Sequence, residues 1–148
     1  QLGEYLLSAY EKEGLFLFGN AGAKVTGQNK TCRFVKNLQP DEELMKQIAE
    51  LPFPMIISAN PDTFIYDTFV KYQIPCQFDY FSSHQKATEP TRLRKPTERP
   101  IIYNLCGSKD DHESIILDYD DLFNMLKNLL SDLNVPDVVR SKLKKTTT

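Results

Sequence analysis

Two short apolar runs, each ending in a string of small and polar residues, constrain this chain most. Met55-Ile56-Ile57 runs into Ser58-Ala59-Asn60-Pro61-Asp62, and Ile101-Ile102-Tyr103-Asn104-Leu105 runs into Cys106-Gly107-Ser108. Neither run alternates apolar with polar. A strand of that kind is buried on both faces, which is the condition of strands in a parallel sheet. Segments with helical spacing lie between and beyond the runs. The expectation is an α/β layer fold, a Rossmann-like mostly parallel sheet flanked by helices.

The remaining elements follow from local signals. Leu2, Tyr5, Leu6, Ala9 and Tyr10 have helical spacing, and Gly14 predicts its end. Leu15-Phe16-Leu17-Phe18 reads as a short strand, and Gly19, Asn20, Gly22, Gly27 and Asn29 read as a loop. The segment Phe34 to Leu38 is ambiguous. Pro40-Asp41-Glu42-Glu43 opens a helix with Leu44, Met45 and Ile48 on its buried face, ended by Pro52 and Pro54. Asp62 is a cap for a helix from Thr63 to about Tyr72. Phe78 to Phe81 reads as a strand. Ser82 to Pro100, with Pro90, Pro96 and Pro100, reads as a long surface loop. Ser114 to Leu117 reads as a further short strand. Asp118 caps a helix carrying Leu122, Phe123, Met125, Leu126, Leu129, Leu130 and Leu133 on a wide apolar face, and Pro136 opens a last helix to about Lys144.

Composition narrows the function classes. The chain has 148 residues, 41% hydrophobic and 26% charged. That suits one folded domain with a sizeable core. A net charge of −2 disfavours a strongly basic nucleic-acid binder. No apolar run approaches the ~20 residues that span a bilayer, and no charged-then-apolar leader opens the chain. Cys32, Cys76 and Cys106 form no CxxC pair, and His84 and His112 add no cluster to them. This argues against a zinc site and a disulfide framework, and for reduced thiols in the cytoplasm. The chain opens at Gln1, and a basic helix end runs into Thr146-Thr147-Thr148. Both ends read as cuts within something longer.

Chemistry in an open parallel sheet sits at the carboxyl ends of the strands. There, Asn60 and Asn104 offer amides for a ribose or an amide group, and Gly107 lets backbone approach a ligand. The plain alternative is that Asn-Pro-Asp is a capped turn and Cys-Gly-Ser a turn after a strand. Gly19, Gly22 and Gly27 follow an apolar run as phosphate loops do. Yet they match neither G-x-G-x-x-G nor the P-loop, and a flexible loop is the simpler reading. Cys106 is a nucleophile only with a base in reach; otherwise it is a packed thiol. Asp110-Asp111 and Asp120-Asp121 read as cation ligands or as solvated caps. Arg92 to Arg99 read as a phosphate grip or a solvated loop.

At these residues the chain resembles the sirtuin-like NAD-binding domains of bacterial conflict and antiviral defence proteins. Three blocks carry the resemblance: Leu51 to Asp62, Arg99 to Ser108, and Glu113 to Leu122. The first resembles the family's strand leading into Thr-Asn-x-Asp and a helix. The second resembles the strand that in active members ends in His-Gly. The third resembles the short strand and acid-aromatic helix start that follow. Together they span about Leu51 to Leu130. The resemblance implies a single sirtuin-like domain, truncated at both ends, with a Rossmann-like fold and NAD as its cofactor. Active members cleave NAD at the nicotinamide–ribose bond or use it to deacylate lysine. It puts Asn60 and Asp62 at the catalytic asparagine and its supporting acid, and Cys106 at the catalytic histidine. Ser58, Asn60, Asn104, Gly107 and Ser108 fall at the cofactor. A neutral thiol with an ordinary pKa near ~8.5 is a poor base at neutral pH. NAD hydrolase activity is therefore undercut. The family's Gly-Ala-Gly-Ser fingerprint has only a faint echo in Ala21 to Lys24. The alternative is a non-enzymatic interaction or scaffold module on the same fold, homo-oligomeric or fused to effector or sensor domains. A nucleotide-binding domain unrelated to sirtuins would instead place its ligand at Gly19 to Gly27.

Overall fold

The structure, a computed structural model, describes residues 18–84, 99–131 and 135–146. In chain order it has α1 (Ala21–Lys36), α2 (Glu42–Glu50), β1 (Met55–Ser58), α3 (Phe64–Lys71), β2 (Gln77–Tyr80) and β3 (Ile101–Asn104). A one-turn 3-10 helix (His112–Ser114), α4 (Tyr119–Leu130) and α5 (Asp137–Thr146) follow. The sheet order is β1-β3-β2, with both pairings parallel. The chain is thus an α/β fold with a parallel, Rossmann-like sheet between helices.

The strand buried at every position takes the centre. All four residues of β3 are buried. Their side chains alternate between two layers. Ile101 and Tyr103 face Met125, Val135 and Val139, with Leu122 and Leu129 of α4 packed around them. Ile102 faces Ala49 of α2 and Phe69 of α3, with Ile56, Ile65 and Phe78 alongside. Hence β3 needs apolar residues at consecutive positions, while the flanking helices need only one apolar stripe each. A third cluster joins Cys32 of α1 to Ile115 and Leu117, with Phe18 packed on it.

The helix starts follow their caps. The Asp41 carboxylate accepts the Leu44 N–H at 3.0 Å, and the Asp118 carboxylate accepts the Asp121 N–H at 2.9 Å. Such caps satisfy amides that the first helical turn leaves bare. The Pro136 carbonyl accepts the Val139 and Arg140 N–H groups, each at 3.0 Å, and so starts α5.

Two readings of the sequence are corrected. The glycine-bearing segment after Phe18 is helix α1, not a loop. Asn20 caps it by accepting the Ala23 N–H at 2.9 Å. Tertiary packing then holds a helix of poor propensity. A Cβ on Gly27 would lie 3.0 Å from the Phe18 ring, so glycine lets that ring close over the helix. Gly22 and Gly27 therefore form no phosphate cradle. Ser114 to Leu117 is a 3-10 turn and an extended stretch rather than a strand. Its Ile115 carbonyl accepts the Gln28 Nε2–H of α1 at 3.1 Å, so a helix side chain takes the place of a neighbouring strand. The opening helix, residues 15–17 of the first strand, most of the arginine-bearing loop and Leu133 lie outside the described residues. Among the described residues no helix is long and apolar enough to cross a membrane.

Candidate functional site at the carboxyl edge of the sheet

Register alone brings the two polar strand ends together. Ser58 is the partner of Asn104 across the β1–β3 pair, so the Ser58-to-Asp62 loop lies beside the Leu105-to-Lys109 turn. Backbone and side-chain bonds then stitch them. The Leu105 N–H donates to the Ser58 carbonyl at 2.8 Å, and the Lys109 N–H to the Pro61 carbonyl at 2.7 Å. The Asn104 Nδ2–H donates to the Asp62 carbonyl at 2.6 Å. Asn104 is only 1% exposed, so its amide holds the loop from beneath.

The candidate residues divide into a rim and a frame. Asn60 is exposed, and its N–H donates to the Ser58 Oγ at 3.1 Å, which fixes the loop's outward turn. The Asp62 carboxylate accepts the Phe64 N–H at 3.0 Å and so starts α3. Gly107 has φ +87°, the left-handed region, and a Cβ there would run into the Ser114 carbonyl. Only glycine fits that turn. Ser108 is buried, and its N–H donates to the Ser114 Oγ at 2.9 Å. Ser58 and Asn60 thus form the rim, while Asn104, Gly107 and Ser108 form the frame.

Cys106 is half-buried, and burial pushes its thiol above the ordinary cysteine value. It is neutral at pH 7 and no general base. Among the described residues no group of three or more His, Cys, Asp or Glu is placed to hold a metal ion.

Three residues at this edge were not singled out from the sequence. The Lys109 ammonium donates to the Thr63 Oγ1 and lies 3.3 Å from the Asp67 carboxylate. The Thr63 hydroxyl in turn donates to Asp67 at 2.6 Å. A cation therefore sits at the amino end of α3, on the same edge as Asn60. The Thr-x-x-x-Asp spacing of Thr63 and Asp67 was a visible signal for part of this; the reach of Lys109 from the turn after β3 was not.

Each acidic pair has a member engaged, Asp121 in one and Asp110 in the other. Lys24 bridges Asp118 at 2.9 Å and Asp121 at 2.5 Å, so its ammonium takes the place a cation would need. Asp121 also accepts the Leu117 N–H at 3.2 Å. Burial opposes the charge on both acids. The Asp121 amide and Lys24 still hold Asp118 below its ordinary value, whereas Asp121 lies above it. Asp110 pairs with Lys36 at 3.2 Å on the surface.

The fold and its carboxyl edge define a Rossmann-like α/β domain with one polar rim. No protein-family model, curated protein or solved structure matches the chain.

Proposed function

We propose that this chain is a sirtuin-like domain of the bacterial conflict and defence class that takes NAD at the carboxyl edge of its sheet without cleaving it. The observation that carries the reading is the register pair of Ser58 with Asn104, which gathers both polar strand ends at one edge. The residues there fit a dinucleotide. Asn60 offers an exposed amide and Ser58 a hydroxyl for ribose. The Lys109 ammonium lies on the same edge, paired with Asp67, and would meet a diphosphate by exchanging that carboxylate for a phosphate oxygen. Bound NAD would supply a ribose carbon from which nicotinamide can leave. Asn60 would orient that ribose, and Asp62 would hold the loop through its bond to Phe64. At the position of the family's histidine, the Cys106 thiol keeps its proton and accepts none from a ribose hydroxyl.

Proton NMR of NAD mixed with the chain, followed over hours, tests both halves. The expected result is broadened NAD resonances, no free nicotinamide, and loss of broadening in Asn60→Ala with the protein's own spectrum unchanged. Sharp NAD lines would overturn binding, and nicotinamide peaks would overturn the claim of no cleavage. The neutral Cys106 also favours a second reading, a non-enzymatic interaction module, which sharp lines would leave standing.

A further inference from the structure

Helix α4 carries two apolar stripes where a surface helix needs one. Leu122, Met125 and Leu129 pack against the sheet. About a quarter turn round, at 100° per residue, Tyr119, Phe123, Leu126 and Leu130 remain 43%, 69%, 46% and 80% exposed. Their spacing of four, three and four residues is the heptad spacing of a helix–helix seam. One flank of that seam is the buried stripe. The other carries Asp120 and Lys127, seven residues apart at the same heptad position, both exposed.

From this arrangement we infer that the exposed stripe of α4 is the self-association surface of the chain, paired antiparallel with α4 of a second copy. Antiparallel self-pairing sets Tyr119 against Leu130 of the other copy and Phe123 against Leu126. It also brings Asp120 of each copy beside Lys127 of the other, twice by symmetry. Parallel pairing would place both charged residues against the leucine flank and leave them uncompensated. The charges thus select a second copy of this helix, in this direction. A seam of three turns, about 18 Å long, covers less than the ~1,200–2,000 Å² of a standard interface. The dimer is therefore weak and concentration-dependent. Nothing in it rests on the carboxyl edge or on a nucleotide.

Sedimentation equilibrium of the 148-residue chain, from micromolar to near-millimolar concentration without NAD, tests this. The expected result is a reversible monomer–dimer equilibrium, abolished in Phe123→Asp with the circular dichroism unchanged. Asp120→Lys and Lys127→Asp should each weaken association by roughly tenfold or more, since like charges then face each other. An equimolar mixture of those two variants should restore it, because each mismatched charge then meets its opposite. That rescue is read on two folded proteins, so it stands even where Phe123→Asp impairs folding. A chain that stays monomeric would overturn the proposal, as would a dimer indifferent to Phe123→Asp. Charge variants that leave association unchanged, or fail to rescue each other, would overturn the antiparallel pairing.

Discussion

Gly107 and Tyr103 show how much a single residue decides here. The Gly107 turn needs both a left-handed backbone and an empty space before Ser114. Gly107→Ala should therefore cost about 2–4 kcal/mol or prevent folding, read from urea denaturation. A loss under half a kcal/mol would mean that the turn relaxes. Tyr103 raises the opposite expectation. Its hydroxyl is buried in the core with no hydrogen-bond partner among the described residues. Burial, with Asp79 on the neighbouring strand, raises the phenol far above its ordinary 10.0. Tyr103→Phe removes an unsatisfied group from the core, so stability should hold or rise by up to about 1 kcal/mol. Because the folded value is raised, the wild type loses stability as pH climbs above 10.0. The phenylalanine variant should lose less over that range. A large destabilisation at neutral pH would mean that the hydroxyl has a partner. These two positions were unequally legible. A glycine after a strand suggests a turn, but no pattern says that one tyrosine of an apolar strand lacks a partner.

At the scale of elements, α1 and α4 are clasped by Lys24, Asp118 and Asp121. The side chains are 25%, 16% and 18% exposed, so screening is incomplete. Lys24→Met would leave two partly buried carboxylates facing each other. It should cost about 1–3 kcal/mol at pH 7. Asp118 is lowered in the fold, so its contribution is present above its ordinary 3.8 and is lost as pH falls below it. Asp121 is raised and works in the opposite direction. At low pH both acids are neutral and need no cation, so the cost of Lys24→Met should shrink toward zero. Thermal denaturation of both proteins from pH 3 to pH 7 reads this difference; a cost independent of pH would mean that Lys24 acts only through its aliphatic stem. The capping role of Asp118 was legible, since a cap acts within three residues. The ion pair was not, because Lys24 and Asp121 lie 97 residues apart.

For the whole molecule, two surfaces separate the possible roles. The carboxyl edge asks for a small polar ligand, and the outer stripe of α4 asks for another helix. NMR with NAD and sedimentation without it address them independently. Binding without dimerisation would describe a monomeric sensor, and dimerisation without binding a scaffold.

By itself the sequence determined the class of the fold. Unbroken apolar runs such as Ile101 to Tyr103 survive in water only inside a sheet covered on both faces, and proline and aspartate signal helix starts through local geometry. It also marked Ser58, Asn60, Asp62 and Gly107 as edge residues, because strand ends and turns are short-range features. Only the tertiary structure decided the rest. It made a helix of the glycine-bearing segment after Phe18, because packing of Phe18 over Gly27 and of Cys32 against Leu117 outweighs weak local propensity. It turned the Ser114-to-Leu117 stretch away from the sheet by giving its backbone to Gln28. It committed the Asn104 amide to the Asp62 carbonyl and brought Lys109 to α3. All but the Phe18–Gly27 contact join residues far apart in the chain, and such pairs exist only once the tertiary fold has formed.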